Sequence, residues 1–217
     1  MKITFKAKVL FIVMISISMT VNAGTIDTVG QEPYEQCGYC HEYDGNSKMP
    51  LYPRLAGQNK HYIEKQLRDF RVGKRKGTMQ ATAEMLTDED IKAVANYFSQ
   101  QKVVVQNRVL LMNKQNEKAK NLFLHGDKNR NLQACASCHG QSGMGLTVIP
   151  RLADQHESYL HQQLLAFKAG ERTNDDSQQM QGISQKLSNN EMRLLAKYLA
   201  HLSLKSSKIK DNNHIKQ

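Results

Sequence analysis

The chain has 217 residues, with 30 Lys and Arg against 20 Asp and Glu, a formal net charge of +10 and a pI near 9.4. Such a charge would suit a nucleic-acid-binding protein, but the sequence has neither a Gly-rich loop nor a basic helix with interleaved aromatic residues. The charge divides unevenly, since residues 24–105 contain 11 basic and 11 acidic residues and residues 106–217 contain 16 and 9. We therefore expect no nucleic-acid partner, and a basic second half that suits an acidic protein or an anionic membrane surface.

The N-terminus has the three-part pattern of a secretory signal. Three lysines precede an apolar run over residues 9–19, and Ala23 ends a small-x-small cleavage site. The apolar run has about 11 residues, whereas a membrane-spanning helix needs roughly 20. We predict that residues 1–23 are a signal peptide and that the mature chain begins at Gly24 in the periplasm. An uncleaved segment would instead attach the protein to the inner membrane.

Two segments of the chain match feature for feature, which indicates a duplicated domain. The first copy has Cys-x-x-Cys-His at 37–41 and Pro-Arg-Leu-Ala at 53–56, and the second has the same motifs at 135–139 and 150–153. A constant offset of 97 residues relates five further pairs, namely Tyr62 and Tyr159, Gln66 and Gln163, Leu67 and Leu164, Phe70 and Phe167, and Gly73 and Gly170.

Each copy is predicted to be helical. In the first copy Tyr62, Leu67 and Phe70 share one helical face, and Gly73 follows at the position of a C-terminal cap. The same residue types recur over 159–170 in the second copy. Each of these two segments is therefore expected to form a helix that ends at its glycine.

The last helix of each copy has its own start signal. Ser188 and Glu191 form a capping-box pattern, and residues 87–90 are its weaker counterpart in the first copy. A further helix is predicted over 114–124, ahead of the second Cys-x-x-Cys-His, whereas Pro33 interrupts the lead-in to the first.

Only residues 103–105, between the copies, resemble a strand. The predicted fold class is therefore all-α, with tandem domains at 24–105 and 106–204 and a polar, Lys-rich tail at 205–217. Because the chain has 6% aromatic residues and no Trp, each small domain has a thin apolar core, and we expect a cofactor to complete it.

Both copies have the motif of covalent haem attachment. Two thiols on one helical turn can add across the two vinyl groups of a haem, and the following His can reach the iron from the same side. The predicted attachment residues are Cys37, Cys40, Cys135 and Cys138, and the predicted iron ligands in the motifs are His41 and His139. We therefore predict two covalently bound haem c groups.

Three other uses of the four cysteines stay open on the sequence. A redox Cys-x-x-Cys normally follows a strand in an α/β fold, and the sequence predicts no such strand before either motif. A zinc site made from both pairs would join the copies across about 100 residues. Two structural disulfides would leave the two following histidines unexplained.

A sixth iron ligand is expected from a Met that recurs in both copies. Met79 and Met180 each lie seven residues before the Leu that precedes the last helix, in a polar stretch predicted to be a loop. Met and His together are a known ligand pair of c-type cytochromes. The competing possibility is a second His at each iron, although none of the remaining histidines recurs, namely His61, His125, His156, His161, His201 and His214.

Two repeated prolines and two repeated tyrosines each have two possible roles. The carbonyl of Pro53 or Pro150 could orient the motif His by accepting a hydrogen bond from its second ring nitrogen, with plain turn formation as the alternative. Tyr62 and Tyr159 either line the edge of a haem or pack in the core.

With these motifs the chain resembles the diheme cytochrome c4 family, a tandem of two class I cytochrome c domains, over residues 30–204. The resemblance implies one haem per domain, ligated by His41 and Met79 or by His139 and Met180, with the two haems facing each other across the domain interface. It also implies electron transfer in a respiratory chain toward a terminal oxidase, with a quinol-oxidising complex or a dehydrogenase as the donor.

Three rival functions follow from the same motifs. A diheme peroxidase needs an iron with an open or displaceable position, and a sulfur-oxidising diheme enzyme typically needs a further Cys ligand, which this chain lacks. A cytochrome subunit of a dehydrogenase complex would differ mainly in having a permanent partner. Because Met and His would fill both axial positions of each iron, we expect an electron carrier and not an enzyme.

One residue departs from the family pattern. Gly140 follows the second motif, as is usual in such domains, but Glu42 follows the first. A carboxylate near the first haem would stabilise the oxidised iron and lower its reduction potential relative to the second. Separately, the neutral first half and the basic second half suggest that donor and acceptor dock on different domains.

Overall fold

A computed structural model describes residues 32–106 and 113–202 of the chain. Within these residues the structure has helices, turns and two isolated bridges but no strand, so the all-α prediction is confirmed. None of the helices in these ranges is long and apolar enough to cross a membrane. The predicted signal peptide at 1–23 and polar tail at 205–217 lie outside the described residues, and the division into domains at residue 105 stays a prediction.

The two halves repeat the same succession of helices. The first half has α1 (Gly38–His41), α2 (Lys60–Arg71), α3 (Met79–Glu84) and α4 (Asp88–Gln100). The second half has α5 (Lys114–His125), α6 (Ala136–His139), α7 (Glu157–Ala169), α8 (Gln179–Gln185) and α9 (Asn189–Ala200), with 3-10 turns at Lys128–Arg130 and Asp176–Gln178. Helices α1 to α4 correspond to α6 to α9, and α5 has no counterpart among the described residues.

Both last helices begin with the predicted capping box. Thr87 Oγ1 accepts from the backbone N–H of Asp90, and the Asp90 carboxylate accepts from the N–H of Thr87. Ser188 and Glu191 make the same pair of bonds in the second half. The first box is thus as complete as the second, although its sequence signal is weaker.

The second capping box is tied to the rest of its half. The Glu191 carboxylate accepts from both terminal nitrogens of Arg130, at 3.0 and 3.1 Å, and the residue is 6% exposed. Burial raises the pKa of Glu191, but the hydrogen bonds from Arg130 and Ser188 outweigh it and lower the pKa to about 2. The first box has no such partner at Asp90.

Each half buries its apolar side chains between its penultimate long helix and its last one. In the first half Ile63 and Leu67 of α2 pack with Ile91, Val94 and Phe98 of α4. In the second half α7 and α9 pack in the same way, and α5 adds a third element. The buried apolar residues of α5 are Ala119, Leu122 and Phe123.

The first half replaces part of α5 with one tyrosine. Phe123 of α5 packs on Tyr198 of α9 with ring centroids 5.8 Å apart. At the corresponding place, Tyr34 stacks on Tyr97 of α4, with centroids 3.7 Å apart and an interplanar angle of 2°. The lead-in that Pro33 interrupts therefore still covers the last helix of its half.

The two halves are joined by a reciprocal exchange of hydrogen bonds. Gln155 Oε1 accepts from the backbone N–H of Arg54 at 2.8 Å, and its Nε2 donates to the Arg54 carbonyl at 2.9 Å. Gln58 makes the same two bonds with the backbone of Arg151, at 2.7 and 3.1 Å. Residue pairs exchanged in this way are typical of a self-complementary interface with two-fold symmetry.

Substitution of Glu191 by Gln is expected to lower the free energy of unfolding by about 2 kcal/mol, because it removes the charge of a buried carboxylate that binds both terminal nitrogens of Arg130. Asp127 still binds Nε of Arg130 in this variant. The matched change Asp90→Asn in the other capping box is expected to cost less than about 1 kcal/mol. Guanidinium unfolding followed by circular dichroism measures both. Equal losses would contradict the role given to Arg130.

The Glu191 effect should also depend on pH. Because folding lowers its pKa from 4.5 to about 2, the stabilisation is fully present above pH 4.5 and is lost as the pH falls toward 2. The difference between wild type and Glu191→Gln should therefore shrink across this window, and a difference that grows on acidification would contradict the assignment.

Substitution of Gln155 by Ala removes both of its bonds to the Arg54 backbone. The buried Arg54 N–H is then left without this acceptor, and the Arg54 carbonyl keeps only the longer bond from Arg151, at 3.3 Å. We expect Gln155→Ala to lower the free energy of unfolding by about 2 kcal/mol, and Gln58→Ala to do the same. Gln133→Ala is the control, because that side chain is exposed and bonds only within its own half. A Gln155 variant as stable as this control would show that the exchange does not hold the halves together.

Candidate haem sites

A cavity of about 1250 Å³ lies between the halves and reaches both Cys-x-x-Cys-His motifs. Residues of both halves line it, including both Pro-Arg-Leu segments and parts of the long helices α2 and α7. The predicted site residues along its wall are Cys37, His41 and Met79 of the first half and Cys135, Cys138, His139 and Met180 of the second. The structure thus brings all the predicted site residues except Cys40 to the wall of one cavity.

Each motif forms a single helical turn. The backbone N–H of His41 donates to the carbonyl of Cys37 at 2.9 Å, and His139 donates to Cys135 at the same distance. Residues three and four apart lie on the same face of such a turn. The two thiols and the imidazole of each motif, including that of the half-buried Cys40, are therefore placed as haem attachment requires.

The repeated prolines hold the two motif histidines. Nδ1 of His41 lies 2.8 Å from the carbonyl oxygen of Pro53, and Nδ1 of His139 lies 3.1 Å from that of Pro150. Because a carbonyl can only accept, Nδ1 carries the proton and Nε2 keeps its lone pair for a metal. The predicted role of the Pro carbonyls is confirmed.

Burial favours the neutral form of these groups. It lowers the pKa of His41 and of His139, which the hydrogen bonds to Pro53 and Pro150 offset in part. Neutral imidazole is the form that ligates a metal. The same burial raises the pKa of the Cys37 and Cys135 thiols to about 11.

The other uses of the cysteines are not favoured. A structural zinc site needs four Cys or His ligands that converge on one point. In residues 32–106 and 113–202, no three His, Cys, Asp or Glu side chains converge in a way that could hold a metal ion. The four cysteines are not paired in disulfides.

The predicted loops around the two methionines are wrong in detail, because both methionines begin short helices. Met79 is the first residue of α3, and Met180 is the second residue of α8. Helices of six or seven residues are too short to show a periodic apolar pattern. The Asp175 carboxylate holds the second one in place by accepting from the backbone N–H of Met180 at 2.7 Å.

The alternative of a second His at each iron finds no support in the described residues. His41 and His139 are the only described histidines on the cavity wall. His156 is buried, but its Nε2 lies 2.9 Å from the carbonyl oxygen of Ser47, and Nδ1 of the exposed His201 lies 2.7 Å from that of Lys197. His214 lies outside the described residues.

A second reciprocal network borders the cavity, and the sequence analysis missed it. Arg75 donates to Tyr159 Oη at 3.1 Å and to Gln163 at 2.9 Å. Arg172 donates to Tyr62 Oη at 3.1 Å and to its own half's Gln163 at 2.7 Å. Arg75 and Arg172 share the 97-residue offset of the other pairs, so the repeat itself could have identified them. The two tyrosines thus serve both the interface and the cavity wall.

The repeated Arg54 and Arg151 supply donors that fit a haem. Both side chains line the cavity, are 2% and 1% exposed, and have a buried Nε–H with no hydrogen-bond partner in the described structure. A haem carries two carboxylates, which such guanidinium groups can bind. The donor set of the cavity therefore fits this cofactor.

Within the described residues, Arg54 forms an ion pair with an acidic residue and Arg151 forms none. Asp154 forms a buried ion pair with Arg54 across the halves, whereas Gly57 occupies the matching position beside Arg151. Burial and the neighbouring Arg54 lower the pKa of Arg151 to about 10, so that it stays charged near neutral pH. The two halves therefore differ electrostatically next to the same cavity.

Comparisons with known proteins match both halves. A family model described as cytochrome c matches residues 117–203, and one described as cytochrome c oxidase, cbb3-type, subunit III, matches residues 28–98. The cytochrome c4 of Stutzerimonas stutzeri is 36% identical over 210 residues, which is 90% of this chain and 99% of that one. The thiosulfate dehydrogenase electron acceptor of the same species is 34% identical over 79% of this chain and 81% of its own.

Solved structures agree with the sequence matches. The crystal structure of reduced recombinant cytochrome c4 from Pseudomonas stutzeri superimposes with a TM-score of 0.73 at 35% identity, over 79% of this chain and 97% of that one. The duplicated domain, the two motifs and these relatives give two covalent haem c groups. The chain belongs to the cytochrome c4 family of diheme electron carriers.

Proposed function

We propose that this protein is a periplasmic diheme cytochrome that carries electrons between respiratory-chain components toward a terminal oxidase. The observation that carries the proposal is the duplicated site: each half contributes a His held by a Pro carbonyl and a recurring Met to the one cavity between the halves. When bound, each haem supplies an iron that takes up and releases one electron.

The axial ligands are His41 with Met79 in the first half and His139 with Met180 in the second. Cys37 and Cys40 anchor the first haem, and the corresponding cysteines of the second motif anchor the other. With both axial positions filled by side chains, neither site offers a place for substrate, which supports a carrier over a peroxidase.

Substitution of Met79 or Met180 by Ala is expected to lower the reduction potential of one haem only. A Met ligand raises the potential of a haem, and axial ligands move it within a range of about 0.8 V, so a fall on the order of 0.1 to 0.3 V is expected. Spectroelectrochemical titration of each variant measures both potentials.

The matched control for this titration is Met85→Ala, because Met85 is 70% exposed and lies in the same half as Met79. It should leave both potentials and the spectrum of the ferric protein unchanged. If Met79→Ala behaved like this control, or if each Met variant changed both haems equally, the ligand assignment would be wrong.

The electron donor is proposed to be a quinol-oxidising complex or a dehydrogenase. The similarity to a thiosulfate dehydrogenase electron acceptor favours a second candidate function, that of a cytochrome subunit in a dehydrogenase complex. Affinity purification of the tagged protein from membranes and from the soluble fraction separates the two. If a dehydrogenase co-purifies with the tagged protein in stoichiometric amount at all salt concentrations, the result supports the subunit function. If the tagged protein is recovered alone, the result supports the mobile carrier.

We propose that residues 1–23 are cleaved from the chain during export. Intact mass of the protein from the periplasmic fraction should correspond to a chain that begins at Gly24 and carries two haems. A mass that includes residues 1–23, found in the membrane fraction, would favour the tethered form, and a chain retained in the cytoplasm without haem would contradict the proposal. The Lys-rich second half makes reversible association with anionic lipid a further expectation.

A further inference from the structure

Two exposed tyrosines border the first haem-attachment motif. Tyr39 lies between the two cysteines of the motif and is 77% exposed, and Tyr43 lies two residues after the motif and is 57% exposed. Their ring centroids are 6.4 Å apart in an edge arrangement. Aromatic side chains so exposed are typical of protein–protein interfaces, because they offer a large apolar area with few rotatable bonds.

The second half, on the same backbone, has no such feature. The residues aligned with Tyr39 and Tyr43 are Ser137 and Gln141. The Tyr43 ring lies directly against Gly38, where an added Cβ would be 2.5 Å from the ring, and the second half has Ala136 at that position. The first half is therefore shaped to place an aromatic ring here.

The surroundings of the two tyrosines are acidic. Residues 32–45 contain four carboxylates and no Lys or Arg, whereas the aligned residues 130–143 contain one Arg and no carboxylate. Two of the acids, Glu42 and Asp44, flank Tyr43 in the sequence, and a third, Glu35, lies four residues before Tyr39. We call these three residues together with Tyr39 and Tyr43 the tyrosine face.

The tyrosine face is braced by the rest of its half. The Tyr97 hydroxyl donates to the backbone carbonyl of Tyr43 at 2.9 Å, and Tyr34 stacks on Tyr97. Asn46 donates to the Asp44 carboxylate through both its backbone and its side chain, at 3.0 and 3.1 Å. The segment thus has a defined surface. Two basic residues lie close to Asn46: Lys48 follows it by two residues, and the Lys102 backbone carbonyl accepts a hydrogen bond from its side chain.

We propose that the tyrosine face is the docking surface of a redox partner whose own docking face carries lysines or arginines around an apolar centre. The inference rests on the proposed carrier function. The face adjoins the cysteines that anchor the first haem, so a partner bound there lies beside that cofactor. Its carboxylates complement a basic partner, and its rings offer both apolar and cation–π contact to lysines.

The proposed attraction of a basic partner to the tyrosine face is opposite in sign to the effect of the overall charge of the chain. With a net charge of +10, long-range forces would repel a basic partner and favour an acidic one. Attraction to the tyrosine face is short-ranged and is screened over roughly 8 to 10 Å at physiological salt. The sign of the salt dependence therefore separates local docking from the field of the whole protein.

The test is electron transfer from the reduced mature holoprotein to a ferric, lysine-rich single-haem cytochrome c as the probe. The reaction is followed by stopped-flow absorption at several salt concentrations. The double variant Glu42→Gln with Asp44→Asn removes two charges from the face. The matched control Glu84→Gln with Glu89→Gln removes two exposed charges, at the last residue of α3 and in the first turn of α4. Tyr39→Ser introduces the residue found in the second half.

At low salt we expect the rate constant for electron transfer to fall about five- to tenfold in the face variant and less than twofold in the control. For the wild-type protein, we expect this rate constant to decrease as the salt concentration rises. Tyr39→Ser should lower the rate about threefold at all salt concentrations. Equal falls in the two double variants, or a wild-type rate that rises with salt, would overturn the proposal.

One further variant separates docking from stability. Glu42 has φ 62° and ψ 150°, close to the φ 74° and ψ 153° of Gly140, and glycine adopts this conformation more readily than other residues. Glu42→Gly should therefore unfold at higher denaturant while it transfers electrons to the probe more slowly. A variant that is more stable and equally fast would contradict the docking role of Glu42.

Two controls keep this proposal distinct from the proposed function. Each variant is first reduced and then reoxidised by a small inorganic complex, and failure of wild type in this step would overturn the carrier function itself. If that step is intact and the face variants match wild type with the probe, only the docking proposal fails. A dimer of the protein at low salt that the Glu42 and Asp44 changes dissociate would assign the face to a second copy and overturn the proposal.

Discussion

The hydrogen bond between each motif His and a Pro carbonyl is the interaction on which the rest of the structure depends. It leaves Nε2 of His41 or His139 as the nitrogen that can bind iron. The residue after each Pro is the Arg whose backbone joins the two halves. Because Pro and Arg are neighbours, the orientation of the haem ligand and the contact between the halves are fixed by one rigid segment.

The duplication explains the form of the interface. When a domain packs against its own copy through the same surface, each contact occurs twice with the partners exchanged. The bonds of Gln58 and Gln155 and those of Arg75 and Arg172 follow this rule. The symmetry is broken by single residues, such as Asp154 beside Arg54, so that two sites of one design differ in their electrostatic surroundings.

The sequence predicted the features that repeat or that have a periodic pattern. The repeat, at offsets of 97 and 98 residues, identified the duplicated motifs, and the capping box of Ser188 and Glu191 marked a helix that begins at Asn189. The helices that begin near Met79 and Met180 were missed because they are too short for periodicity. The stacking of Tyr34 on Tyr97 joins residues far apart in the chain, which no local pattern can show.

The most direct test of this account is the haem content and absorption spectrum of the purified wild-type protein, oxidised and reduced. The account predicts two covalently attached, low-spin haems per chain and, in the ferric protein, the weak near-infrared charge-transfer band of Met-ligated haem at an intensity of two sites. A single haem, a high-spin iron or an absent Met band would contradict the claim that each half holds one haem between a His and a Met.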